Sequence, residues 1–224
     1  MCFRISRVLA AFLGAALFLL ASIGFAQTER RVALVIGNSA YKNTVPLPNP
    51  RNDAQAIGAA LRRVGFNVDV RVDVDKRGFD DALRRFGDRL EGATAAVFFY
   101  AGHGLQVDGR NYLLPVDARL EKARDLTYET VDVSTVLREM EATRRVNLVF
   151  LDACRDNPLS RSLANALGTR SVAVGRGLAP VDAATGTLIS YATKDGNTAA
   201  DGAGRNSPFT TALQIGRASC RERV

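Results

Sequence analysis

Hydrophobic positions along the 224-residue chain fall into two rhythms. Short, mainly apolar runs are the first: Arg31 to Gly37 (RVALVIG), Ala95 to Tyr100 (AAVFFY) and Val146 to Leu151 (VNLVFL). Runs of that length, rich in β-branched and aromatic residues, predict strands buried on both faces. Thr187 to Ala192 (TLISYA) predicts one more strand. Asn67 to Val74 alternates at Val68, Val70, Val72 and Val74 and predicts a further strand. The second rhythm is helical. Ala56, Ile57, Ala60, Leu61 and Val64 share one side of a helix over 53–64 that Gly65 stops. Phe79, Leu83, Phe86 and Leu90 do the same over 78–90, and Leu137 and Met140 over 133–142. Tyr112 to Val116 predicts a short extended piece, and Ser207-Pro208 predicts a helix start, Ser as cap and Pro as first helical residue. Strands alternating with helices predict an α/β fold, a mostly parallel central sheet with helices on both faces.

The two ends do not share these rhythms. Arg4 and Arg7 precede an apolar run from Val8 to Leu20, and Gly24-Phe25-Ala26 is small-x-small. This is the layout of an export signal, so residues 1–26 are expected to be removed after Ala26, leaving a periplasmic or extracellular protein that begins at Gln27. The alternative is an uncleaved membrane anchor, for which the apolar run is short. The last ten residues (IGRASCRERV) carry no clear apolar period and resemble the conceptual translation of a sequencing adapter. Residues 215–224 are therefore expected to be non-native, and 27–214 to be one C-terminally truncated domain.

Setting the ends aside changes the chemistry. The formal charge is +7, which would favour a nucleic-acid or membrane partner. The two ends hold five of the arginines and one of the acids, so the body carries only +3. No nucleic-acid partner is expected, and membrane contact only through an uncleaved N-terminal segment. Cys2 and Cys220 also leave with the ends, so the body retains one cysteine, Cys154, and one histidine, His103. No internal disulfide is then available.

His103 follows the third strand in Ala101-Gly102-His103-Gly104, and Cys154 follows the fourth in Asp152-Ala153-Cys154-Arg155. Carboxyl ends of parallel strands form the ligand crevice of such sheets, so both side chains are expected at one edge. A thiolate and an imidazole there make a nucleophile and its acid–base partner. The plainer reading is a buried core Cys and a satisfied loop His. Sole representatives at adjacent strand ends, with glycine on both sides of the His, favour the dyad. The Gly104 N–H is placed to face a substrate oxygen.

Six blocks then carry a resemblance: VALVIGNSAY at 32–41, LPNPRNDAQAIGAALRRVGF at 47–66, FFYAGHG at 98–104, NYLLPVDA at 111–118, VFLDACRDNP at 149–158 and SYATKDGNTAADG at 190–202. In this order the chain resembles the caspase–metacaspase–paracaspase superfamily of cysteine peptidases, in its bacterial branch. The resemblance implies a caspase-like three-layer sandwich, His103 as catalytic base, Cys154 as nucleophile, and an oxyanion hole of the Gly104 and Cys154 N–H groups. It also implies a peptide or protein substrate and a reaction by acyl transfer to the thiol, then hydrolysis.

The resemblance bears on specificity too. Caspases carry Gln two residues before the nucleophile; here Asp152 stands there, as in metacaspases and paracaspases, and Asn52-Asp53 matches their second acidic position. Two carboxylates in a pocket favour a guanidinium or ammonium group, so cleavage after Arg or Lys is implied, not after Asp. Asp53 also suits a helix cap, and the two roles are compatible. Asp152 has a salt bridge to Arg155 as its alternative. Ser190 and Tyr191 resemble the strand edge on which an extended substrate pairs. The long Arg155–Thr185 connection holds Arg161, Arg170 and Arg176, where such an enzyme would process itself, or it is an uncut surface loop. Asp195 and Asp201 line the pocket or bind calcium, as the resemblance to some metacaspases implies, or are turn residues beside Gly196 and Gly202, which is the preferred reading. No metal site or cofactor is expected; activation by calcium, known for some metacaspases, is left open.

Other classes fit less well. No glycine-rich phosphate loop follows any strand, and one His with one Cys does not make a closed metal site. The remaining alternative is a catalytically silent binding or scaffold module that kept the fold.

Overall fold

The computed structural model describes residues 29–141, 145–153, 174–175, 178–181, 185–192 and 204–221, the stretches 174–175 and 215–221 in backbone only. Five strands form the central sheet: β1 (Arg31–Gly37), β2 (Asn67–Val72), β3 (Ala95–Ala101), β7 (Val146–Asp152) and β9 (Thr187–Tyr191). Their order is β2-β1-β3-β7-β9, and every pairing is parallel. In β1 and β3 the apolar runs are explained by burial on both faces, whereas β9 is only partly buried and leaves Leu188 exposed. Val32, Leu34 and Ile36 of β1 and Ala96, Phe98 and Tyr100 of β3 pack in one cluster; the intervening Ala33, Val35, Val97, Phe99 and Ala101 pack in another.

Among the described residues, four helices cover the two faces. α2 (Lys76–Leu90) and α4 (Val133–Met140) lie against the first cluster, α1 (Pro50–Arg63) and α5 (Pro208–Arg221) against the second. A short α3 (Asp125–Glu129) lies between. The architecture is the α/β one expected from the strand–helix alternation.

Several boundaries differ from the sequence expectation, each for a local reason. α1 starts at Pro50 rather than 53, because Pro suits the first helical position. Asn49 is therefore the cap residue and Asp53 sits inside the first turn, which corrects the reading of Asp53 as the cap. The Oγ of Ser39 accepts from the Arg51 N–H, satisfying one of the helix's open donors from outside. β2 stops at Val72 because Asp73 adopts φ 51°, which ends the alternation before Val74. The Asp75 carboxylate accepts from the Gly78 N–H, so α2 begins two residues before the expected Gly78. α5 starts where the Ser-Pro pair places it and runs to Arg221.

A second, antiparallel sheet was not anticipated. β4 (Gly104–Val107), β5 (Arg110–Leu113), β6 (Val131–Asp132) and β8 (Val174–Gly175) are ordered β6-β5-β4-β8. The signal for its hairpin was available: Asp108-Gly109 are both left-handed, at φ 49° and 74°, the geometry of a two-residue hairpin turn. This hairpin starts at Gly104, so it fixes the direction in which the chain leaves His103.

Candidate active site

The strand register brings the two motifs together. β3 and β7 pair so that Ala101 stands beside Asp152. The Gly102 N–H donates to the Asp152 carbonyl at 3.1 Å. Positions 103 and 154 thus each lie two residues past paired strand ends. Cys154 itself lies outside the described residues, as do residues 1–26, Arg155, Arg161, Arg170, Arg176, Asp195 and Asp201. Gly104 packs directly on the residue before Cys154: a Cβ on Gly104 would stand 2.7 Å from the Ala153 carbonyl oxygen.

The ladder also sets where the Gly104 N–H points. The His103 carbonyl accepts from the Leu114 N–H at 3.1 Å, and Gly104 stands opposite Leu113. In an antiparallel pair this makes Gly104–Leu113 the non-hydrogen-bonded pair, so the Gly104 N–H faces away from β5.

His103 is buried, at 2% exposure, and is held from several sides. Its Nε2 lies 2.8 Å from the Val45 carbonyl oxygen. A carbonyl only accepts, so Nε2 carries the proton, and in the neutral ring Nδ1 holds the lone pair. The Tyr41 ring lies against the imidazole, centroids 4.5 Å apart and tilted 55°. The Tyr41 hydroxyl accepts from the His103 N–H at 2.7 Å, and the Tyr100 hydroxyl donates to the His103 carbonyl at 2.8 Å. Burial, and then Tyr41 beside it, push the Tyr100 hydroxyl well above its ordinary pKa, so it remains a donor. A Cβ at Gly102 would meet both tyrosine hydroxyls, at 2.5 and 2.6 Å, which is why glycine precedes the histidine.

The loop that carries Tyr41 and Val45 is fastened by the buried Asn38 and the half-buried Asp73. Asn38 donates through Nδ2 to the Leu114 carbonyl at 3.0 Å and accepts through Oδ1 from the Val74 N–H at 3.0 Å. Asp73 accepts from the Ser39 and Ala40 N–H groups at 2.7 and 2.8 Å and pairs with Arg51. Burial alone would raise the Asp73 carboxyl, but the Arg51 bond, the two N–H groups and the Arg51 charge outweigh it and hold the pKa below its usual value.

Asp53 and Asp152 are both fully buried. Even-numbered positions of β7 face the α1 and α5 side: Leu148 and Phe150 pack there, so the period of two sends Asp152 to the same side. The first turn of α1 approaches the end of β1 closely, and a Cβ at Gly37 would collide with the Pro50 carbonyl. Asp53 Oδ1 accepts from Asn206 Nδ2 and from the Ser207 N–H, both at 2.9 Å. Asp152 Oδ2 accepts from the Ser207 hydroxyl at 2.5 Å. The two carboxylates, 99 positions apart in the chain, thus meet at one residue. Ser190 and Tyr191 lie on β9 beside Phe150 and Leu151, adjoining Asp152; among the described residues no strand pairs with the other edge of β9.

Tyr41, Tyr100, the Val45 carbonyl, Asn206 and Ser207 went unread as site residues in the sequence. Tyr41 lies within a block that carries the resemblance, so it could have been found; a backbone carbonyl leaves no side-chain signal. Among the described residues no group of His, Cys, Asp and Glu could hold a metal ion, and no helix is long and apolar enough to cross a membrane.

A parallel α/β sheet whose third and fourth strands end together in a glycine-flanked histidine and an Asp-Ala-Cys segment defines a caspase-like domain. The chain belongs to the caspase-domain peptidase family, whose model matches residues 30–219. It is 28% identical over 125 residues to human mucosa-associated lymphoid tissue lymphoma translocation protein 1, covering 56% of this chain and 15% of that protein. It is 26% identical over 135 residues to a Dictyostelium discoideum paracaspase, covering 58% of this chain and 32% of that protein. The chain therefore spans less than a third of the length of these relatives. Among solved structures, a Geobacter sulfurreducens protein matches at TM-score 0.59 and 16% identity, over 85% of this chain and 83% of that one. The Drosophila initiator caspase Dronc matches at TM-score 0.53 and 13% identity, over 83% of this chain and 62% of that one. At these identities the two structures bear on the fold alone.

Proposed function

We propose that the chain is an exported cysteine-type endopeptidase that cleaves after Arg or Lys, with His103 as base and Cys154 as nucleophile. The observation that carries the reading is the orientation of His103. Val45 accepts from Nε2, so the neutral imidazole has its lone pair on Nδ1, ready to take a thiol proton. Cys154 Sγ then attacks the scissile carbonyl, its proton passing to Nδ1 and from there to the leaving amine. Water hydrolyses the resulting thioester, and the thiol regains its proton. The Gly104 N–H, facing away from β5, supplies one oxyanion donor in this reading, and the Cys154 N–H the other. Asp53 and Asp152 form the acidic pocket for the substrate's cation, and Ser190 and Tyr191 line the extended peptide. No cofactor enters the reaction, and calcium is a candidate activator.

The test is turnover of fluorogenic peptides ending in Arg, Lys or Asp by the full chain, with and without calcium, beside Cys154→Ala and His103→Ala. Cleavage after Arg or Lys is expected, with each variant losing on the order of 10⁴-fold or more in kcat. Cleavage only after Asp would keep the dyad and sink the pocket. No turnover by a folded chain would favour the silent binding module.

A further inference from the structure

Ser207 occupies an unusual place for a helix cap. Its hydroxyl has one proton to donate and lone pairs to accept with. The proton goes to Asp152 Oδ2 at 2.5 Å, the length of a charge-assisted O–H···O⁻ bond. The lone pair accepts from the Thr210 N–H at 3.0 Å, capping α5. The Ser207 N–H meanwhile donates to Asp53 Oδ1 at 2.9 Å, and the neighbouring Asn206 amide donates to the same oxygen. Ser207 and both aspartates are fully buried.

We propose that Ser207 is a specificity-determining residue of the candidate site, one residue that sets the position of both pocket carboxylates, Asp152 through its hydroxyl and Asp53 through its backbone N–H. The proposal rests on the reading of Asp53 and Asp152 as the pocket for the substrate's cation. Two carboxylates close together repel each other, and burial strengthens that repulsion. Donors must oppose it where they lie, or the side chains rotate apart or protonate. Ser207 supplies a donor to each, and it brings the positive end of the 14-residue α5 with it. A guanidinium or ammonium then meets two acceptors already fixed in place, so binding loses less conformational freedom. Capping alone would require the Thr210 bond; it would not require the bond to Asp152.

The experiment compares the full chain with Ser207→Gly, Ser207→Ala and Ser207→Thr. Glycine is a tolerable cap but removes the hydroxyl, and threonine keeps it. Two readouts are used: KM and kcat on Arg and Lys peptides, and thermal stabilisation by agmatine, a free guanidinium that needs no turnover. The expected result is a KM raised about 10- to 100-fold in Ser207→Gly and Ser207→Ala, a kcat nearly unchanged, weakened agmatine stabilisation, and recovery in Ser207→Thr. Unchanged KM and agmatine response in Ser207→Gly would overturn the proposal while leaving the pocket intact. If the full chain turns over no peptide yet agmatine stabilises it and not Ser207→Gly, the proposal stands and the peptidase reading falls. If agmatine fails to stabilise the full chain and Arg and Lys peptides are not cleaved, the pocket and the role of Ser207 fall together.

Discussion

At the scale of single residues, the site depends on groups that hold His103 rather than on His103 alone. Val45 and Tyr41 reach it from a loop, and Asp73 fastens that loop through the Ser39 and Ala40 N–H groups and Arg51. The folded pKa of Asp73 is depressed. Its contribution to stability is therefore fully present above the unfolded value, about 3.9, and is lost as pH falls through the folded value. Asp73→Asn is expected to lower the melting temperature at about pH 7, and the gap to the parent should close below about pH 4. A gap that stays constant with pH would assign the loss to packing instead. His103 and Cys154 were legible because each is the body's sole residue of its type, set past a buried strand. Val45 was illegible because the group that acts there is its backbone carbonyl.

Among the elements, the ends of helices and strands decide the geometry. α2 and α4 both finish near Arg145, which is 9% exposed. Its guanidinium donates to the Leu90 carbonyl at 2.9 Å, the Met140 carbonyl at 2.6 Å and Asn147 Oδ1 at 2.9 Å. Last-turn carbonyls have no partner within their own helix, and a cation suits the negative helix end. Burial lowers the Arg145 pKa, but a guanidinium starts so high that it stays charged. Arg145→Met keeps much of the volume and removes these donors, leaving the Leu90 carbonyl with only the Ala93 N–H and the Met140 carbonyl with only Asn147 Nδ2. It is expected to cost about 1–3 kcal/mol in urea denaturation; a loss under about 0.5 kcal/mol would mean that the Ala93 and Asn147 donors suffice for the two carbonyls. The central strands were legible at this scale because burial on both faces leaves a continuous apolar run. The small sheet was less so: β6 and β8 are two residues each, too short for any period to show.

For the molecule as a whole, the site and the start of β1 lie at opposite ends of the parallel strands: Arg31 opens β1, while the candidate groups cluster where β1, β3 and β7 end. The proposed export predicts a mature N-terminus at Gln27 in the periplasmic fraction of a Gram-negative host, read by mass spectrometry. Recovery of the full-length chain in the membrane fraction would identify residues 1–26 as an anchor.

The sequence by itself determined the α/β class, the order of the main strands and helices, and the placement of His103, because these follow from local periodicity and from the direction of parallel strands. Only the tertiary structure decided how distant groups meet. Asp53 and Asp152 converge on Ser207 because α1 and α5 cover the same face of the sheet, and the β7 pleat turns Asp152 toward it. Tyr41 and Val45 reach His103 because hydrogen bonds from the buried Asn38 and the half-buried Asp73 shape their loop. Contacts between residues far apart in the chain depend on register and packing, and neither leaves a periodic trace in the order of amino acids.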